Sequence, residues 1–165
     1  MIYTPETNTE DRNSYKLFLA GSIENGKAED WQDIICDQFK DCDDFDIYNP
    51  RRKNWNADAT EEQVRQQIRW EQDALYKSDF VSFYFDPNTI SPITLLELGL
   101  YIDKAFCIYC PPEYFRYTNV CETVKWYNTK KNRHITITDS IGILIEKIQI
   151  LVNRCAILNK NKDLI

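Results

Sequence analysis

The chain has 165 residues, of which 43% are apolar and 28% charged, and its net charge is −6. That length and composition suit one soluble globular domain with a core of its own. The acidic balance, with no long run of Lys or Arg, argues against nucleic acid or an anionic membrane as the main partner, and no apolar run approaches the length of a bilayer span.

Residues 1–14 are polar and acidic, unlike a secretory signal, and are expected to form a flexible extension. Residues 16–20 read as a short strand ended by Gly21-Ser22. A helix is expected over 28–40, with Trp31, Ile34, Ile35 and Phe39 on one face. Residues 45–48 form a second strand, stopped by Asn49-Pro50-Arg51-Arg52. Thr60-x-x-Gln63 is a capping box that opens a long helix to about 77. A third strand at 80–85 is closed by Asp86-Pro87-Asn88. Ser91-Pro92 then reads as the N-cap and first position of another helix. A fourth strand at 105–110 ends in Pro111-Pro112, and a helix over 120–129 leads to a fifth strand at 135–138. The last helix runs from 139 or 140 to about 158, with Ile141, Leu144, Ile145, Ile148, Leu151, Val152 and Cys155 as its apolar stripe. Residues 159–165 are a polar tail.

Strict alternation of strand and helix predicts an α/β domain over 15–158. It would be an open, doubly wound, flavodoxin-like (Rossmann-like) sheet of five parallel strands with helices on both faces. No linker, repeat or low-complexity stretch divides it. The six cysteines are read as reduced thiols in a cytoplasmic protein. Cys107-x-x-Cys110 lies in a short apolar run without a second Cys or His pair, so no metal site is expected. His134 is the only histidine, which removes His-based triads and multi-His metal centres.

Ligands of such folds bind beyond the carboxyl ends of the strands. This nominates four segments, 21–26, 49–52, 86–97 and 111–119. No G-x-G-x-x-G follows the first strand and no G-x-x-x-x-G-K-[ST] occurs, so dinucleotide and P-loop readings lack their phosphate cradles. Asp86 as the phosphate acceptor of a receiver domain fails as well. Gly21-Ser22 and Thr138-Asp139 stand where that chemistry needs acids and a Lys.

Two acids are out of place. Glu97 is the one acid between Asp86 and Asp103, and it shares a helix face with Ile93, Leu96 and Leu100 at 3, 4 and 7 spacing. On the preceding helix Glu71 falls on a stripe with Val64, Ile68 and Leu75, while Asp73 lies off it. A carboxylate on a core stripe is costly unless it is paired or does chemistry. Structural roles are available to both: a backbone group or an Arg for Glu97, and Arg65, Arg69 or another nearby cation for Glu71. Two inward acids also suit a glycosidic-bond reaction. One attacks the anomeric carbon or steadies an oxocarbenium-like transition state, and the other exchanges a proton with the leaving group.

The chain resembles the nucleoside 2-deoxyribosyltransferase-like superfamily, which includes 2'-deoxynucleoside 5'-phosphate N-hydrolases. The resemblance covers about residues 15–130. It rests on Leu19-Ala20-Gly21-Ser22-Ile23 with Gly26, on Trp70-Glu71 before Ser78-Asp79, on Ser91-x5-Glu97-x-Gly99, and on Phe115-Arg116-Tyr117-Thr118-Asn119-Val120. It implies that Glu97 is the nucleophile, forming a deoxyribosyl-enzyme intermediate and expelling the base. Glu71 occupies the place where relatives carry an Asp near the leaving base. Ser91 stands where transferases hold a sugar hydroxyl with an Asp and nucleotide hydrolases place a Ser beside the 5'-phosphate. Asn119 falls in a loop that approaches the sugar. Gly21, Ser22 and Ile23 would add donors, Arg51, Arg52 or Arg116 positive charge, and Asp86, in the same group of strand-end segments, is also expected to bind substrate.

No cofactor is expected, because a carboxylate supplies the covalent chemistry. The implied partners are a small nucleoside or nucleotide and a second copy of the chain, since members form homodimers or larger assemblies. Tyr114, Phe115 and Tyr117 suit an interface, and equally suit stacking on a base. The competing class is a nucleotide-binding module without turnover, and a structural protein of this fold comes third.

Overall fold

The computed structural model describes residues 1–7, 12–23, 28–42, 45–52 and 59–162. In chain order the elements are β1 (Ile2–Tyr3), β2 (Tyr15–Gly21), α1 (Trp31–Phe39), β3 (Phe45–Tyr48), α2 (Glu61–Lys77), β4 (Phe80–Tyr84), α3 (Pro92–Tyr101), a 3₁₀ turn (Ile102–Lys104), β5 (Ala105–Tyr109), α4 (Tyr117–Lys131), β6 (Thr136–Thr138) and α5 (Ile141–Lys162). The sheet order is β1-β3-β2-β4-β5-β6, and every pairing is parallel.

Five of these strands are the expected ones, in the doubly wound order. The sixth, β1, is a correction. Ile2 and Tyr3 pair with Ile47 and Tyr48 at the sheet edge, so the first residues are not a free extension. Asp46, wholly buried in β3, explains the attachment. Its carboxylate faces the Met1 ammonium at 3.2 Å and the Arg12 guanidinium at 3.2 Å, and accepts from the Ser14 hydroxyl. A two-residue strand carries no period, so pattern reading had nothing to find. At the other end α5 continues to Lys162, past the expected stop at 158.

Strand residues alternate between the two faces. Leu17 and Leu19 pack with Trp31, Ile35, Phe39, Leu144 and Ile148 under α1 and α5. Phe18 and Ala20 pack with Leu75, Phe83, Leu98, Val120 and Val124 under α2, α3 and α4. The capping box of α2 is present: Gln63 N–H donates to Thr60 Oγ1 at 3.3 Å and Thr60 N–H to Gln63 Oε1 at 2.8 Å.

Three helix faces depart from the expected pattern. Ile34 of α1 is exposed while Gln32 and Cys36 are buried. On α3, Ile93, Leu96 and Leu100 all stand exposed, Leu96 at 58%, and the buried residues are Thr94, Glu97 and Leu98. On α2, Val64 and Ile68 are exposed, and Gln67 is buried with Ala74 and Leu75. Both departures on α2 and α3 border one cavity.

Candidate active site

The order β3-β2-β4 places the reversal of winding between β2 and β4, and a crevice opens beyond their carboxyl ends. The crevice is a cavity of about 900 Å³, within the range of small-molecule sites. Its walls come from Gly21–Ile23 after β2, Pro50–Arg52 after β3, the α2 face of Gln67 and Glu71, and the first half of α3 from Ser91 to Glu97.

Gly21 ends β2 where bulk is impossible. A Cβ there would lie 2.6 Å from Trp31 Cζ2 and 2.7 Å from the Tyr84 carbonyl. Trp31 and Tyr84 stack at 4.7 Å between ring centroids, and Tyr84 stacks in turn on Tyr109 at 4.2 Å. This aromatic column fixes the floor from which Ser22 projects.

Ser22 anchors a buried hydroxyl cluster. Its Oγ accepts from the Asp86 N–H at 3.0 Å and from Thr89 Oγ1 at 2.9 Å, and it hydrogen-bonds Ser91 Oγ. Thr89 Oγ1 also lies 2.7 Å from Ser91 Oγ. Ser91 precedes α3 but does not cap it in the expected way. Its backbone is left-handed, φ 44°, and its side chain makes no cap hydrogen bond. A non-glycine residue held there costs about 1–3 kcal/mol and persists where its surroundings over-determine it. The hydroxyl cluster and Pro92 at the first helical position are those surroundings. The result is a helix N-terminus open toward the cavity, with the positive end of its dipole and no side-chain oxygen closing it.

Glu97 and Glu71 both line the cavity. Glu97 is only 6% exposed, and among the described residues it makes no hydrogen bond or ion pair. Burial, then the neighbouring Glu71 charge, pushes its carboxyl up to about 8. Burial also raises Glu71, opposed by a hydrogen bond from Gln67 and by the Arg52 charge. Two nearby carboxylates in this setting resist joint ionisation. Neither Arg65 nor Arg69 neutralises Glu71: Arg65 pairs with Glu61 at 2.5 Å on the solvent side of α2, and Arg69 is exposed.

Of the remaining nominated residues, Arg51 lines the cavity but its guanidinium is committed to the wall. It donates to the Ala28 and Glu29 carbonyls at 3.0 and 2.9 Å and to Gln32 Oε1 at 3.3 Å, and pairs with Asp30 at 3.4 Å. Asp86 is buried behind the cavity, where its carboxylate accepts from the Asn88 backbone N–H at 2.8 Å and side-chain amide at 3.1 Å. It shapes the turn that delivers Thr89 and Ser91. Arg116 and Asn119 open α4, are exposed, and do not line the cavity. The Phe115–Val120 stretch is therefore mostly helix rather than loop. Gly26 lies outside the described residues, and a Cβ at Gly99 would meet nothing within 4 Å.

The sequence reading missed Gln67, Asp30, Asp33 and Thr94 in the lining. For Gln67 a signal existed, since it precedes Glu71 by one helical turn on the same face. Asp30 is legible only as the cap of α1, accepting from the Asp33 N–H at 3.2 Å. Among the described residues no group of three or more His, Cys, Asp or Glu side chains is placed to hold a metal ion. None of the six cysteines is in a disulfide, and no described helix is long and apolar enough to cross a membrane.

An α/β domain with one buried and one half-buried acid, an open helix N-terminus and a hydroxyl cluster around one crevice has the features of a site for small polar molecules. Residues 14–115, more than half of the chain, match the family described as nucleoside 2-deoxyribosyltransferase like, and the chain belongs to that family. Membership points to an enzyme that transfers or hydrolyses at a glycosyl bond, with a nucleoside-type small molecule as substrate. Among similar solved structures is a conserved protein from Enterococcus faecalis V583. It is 15% identical, with a TM-score of 0.52, and the alignment covers 82% of this chain and 98% of that one. At that identity the likeness speaks for the fold alone. No curated protein sequence matches significantly.

Proposed function

We propose that the protein cleaves or transfers at the N-glycosidic bond of a 2'-deoxynucleoside or its 5'-monophosphate, with Glu97 as nucleophile. The observation that carries this reading is the pair of acids in one cavity, Glu97 buried and without a hydrogen bond among the described residues, and Glu71 held by Gln67. Ionised Glu97 attacks C1' as the bond to the base breaks, and the base nitrogen takes the proton from Glu71. Water then attacks C1' of the glycosyl-enzyme, Glu71 accepts its proton, and Glu97 leaves as carboxylate. A free base in place of water gives transfer instead. One proton shared by two acids is the count this cycle needs, with the proton moving to Glu71 once substrate is bound.

The hydroxyl cluster and the uncapped start of α3 favour the monophosphate over the free nucleoside. A phosphate there would meet backbone N–H groups and hydroxyls with no carboxylate at position 91 to repel it. The exposed stripes of α2 and α3 support association with a second copy. Val64, Ile68, Ile93, Leu96 and Leu100 form an apolar rim, and Gly99 leaves open space for a close helix approach on the same helix.

A chromatographic assay tests the reading. Each deoxynucleoside and its 5'-monophosphate is incubated with the wild-type protein and with Glu97→Ala, with and without a second base. Base release that vanishes in Glu97→Ala is expected, and dependence on the added base marks a transferase. Saturable binding of these compounds with no product would replace the enzyme reading by a nucleotide-binding module.

A further inference from the structure

Gln67 is a buried polar residue on a helix whose other buried residues, Ala74 and Leu75, are apolar. Its amide is gripped from both ends. Nε2 donates to the Pro50 carbonyl at 2.9 Å and to Glu71 Oε1 at 2.7 Å. Oε1 accepts from Arg52 Nε at 2.5 Å. Turning the amide over would set its NH₂ against an N–H donor and its oxygen against two acceptors, so its partners allow one orientation. The segment after β3 thereby reaches one acid of the site through a single side chain.

We propose that Gln67 is the positioning residue of this site: clamped by Arg52 and the Pro50 carbonyl, it aims its N–H at Glu71 and fixes the orientation of that carboxylate. The use made of Glu71 rests on the glycosidic reading above, whereas the clamp itself does not. The charged groups around Glu71 are Arg52 from the segment after β3, Glu97 from α3, and Asp30, Asp33 and Arg51 in the same cavity lining. Both the Gln67 donor and the Arg52 cation favour charge on Glu71, and that charge opposes charge on Glu97. Burial opposes both of them by raising Glu71, so loosening the clamp favours the proton on Glu71 and, with that charge gone, the ionised form of Glu97.

The test is a carboxyl titration followed by NMR in protein labelled with ¹³C at glutamate, with Glu71→Gln and Glu97→Gln to assign the two signals. In Gln67→Leu the Glu71 titration is expected to rise by about one to two pH units, as follows from losing one charge-assisted hydrogen bond. The Glu97 titration is expected to fall. Arg52→Met, which leaves α2 intact, should likewise raise Glu71 and lower Glu97, each by less, and covers the case in which Gln67→Leu does not fold. The pH profile of base release should shift with the titrations. Signals that stay in place, or that move together in one direction, would reduce Gln67 to a packing residue and overturn the proposal. If the wild-type protein releases no base, the glycosidic reading fails while the titrations still decide the clamp.

Discussion

On the face of the sheet covered by α5, the apolar stripe read from the sequence is buried or half-buried along its length, with Leu144 and Ile148 wholly enclosed. On the opposite face, α2 and α3 show the same periodicity, yet Val64, Ile68, Ile93, Leu96 and Leu100 are exposed, and Gln67, Thr94 and Glu97 are buried among them. Both helix faces are amphipathic, so period alone does not tell a face that meets the core from one that meets a cavity and its rim. What separates them is the acid inside the stripe. On α5 the stripe is free of charge; on α2 and α3 each stripe contains one Glu that a core would reject.

The strongest way to sharpen this contrast is at Glu97. Replacing it by Gln should reduce base release by on the order of 10⁴-fold or more, the scale of losing a covalent nucleophile. The same change should leave the fold intact and flatten its response to pH. An acid raised from its ordinary range to about 8 binds its proton more tightly folded than unfolded. Its stabilisation is therefore full below the unfolded value and is lost as pH climbs through about 8. The slope for one such group is about 1.4 kcal/mol per pH unit across that window. Denaturant melts at a series of pH values in both proteins measure it. A slope unchanged in Glu97→Gln would place the raised carboxyl elsewhere.

Leucines on the two faces offer the next contrast. Leu144→Ala should cost about 2–5 kcal/mol, because it opens a void in a closed core. Leu100→Ala should cost less than about 0.5 kcal/mol in dilute monomer, while weakening any association through the α3 rim. Thermal melts and analytical ultracentrifugation on the two variants read these effects separately. An equal loss of stability would mean that the α3 stripe is packed after all.

The glycines repeat the comparison on a smaller scale. Gly21→Ala forces a methyl against Trp31 and the Tyr84 carbonyl and should destabilise by about 1–3 kcal/mol. Gly99→Ala adds a methyl in open space, and should be neutral or stabilise by up to about 1 kcal/mol through helix propensity. If Gly99→Ala instead blocks self-association, the open space belongs to a neighbouring copy.

The helical and strand pattern was legible because most elements carry a strong period, a cap or a turn signal: Thr60-x-x-Gln63, Asp86-Pro87-Asn88, the seven-residue stripe of α5. The two-residue β1 carried none, and its attachment depends on Asp46 meeting Met1, Arg12 and Ser14, groups 32 or more residues away in sequence. At the site, Glu97, Glu71, Ser22 and Ser91 could be nominated from their placement at strand ends and on the helices that follow. The roles of Arg51 and Asp86 could not, because each is decided by hydrogen bonds to partners that only the folded chain supplies. The left-handed turn at Ser91 was hidden for the same reason: Ser before Pro reads as an ordinary cap, and the Ser22–Thr89 cluster overrides it.

The central claim, that Glu97 carries the sugar, is tested most directly by acid-quenching the protein during turnover of a deoxynucleoside 5'-monophosphate and mapping adducts by peptide mass spectrometry. A deoxyribosyl adduct on Glu97, absent from Glu97→Gln and discharged by water or a free base on the reaction timescale, is the predicted result. Base release that proceeds undiminished in Glu97→Gln, with no adduct on that peptide, would contradict the account.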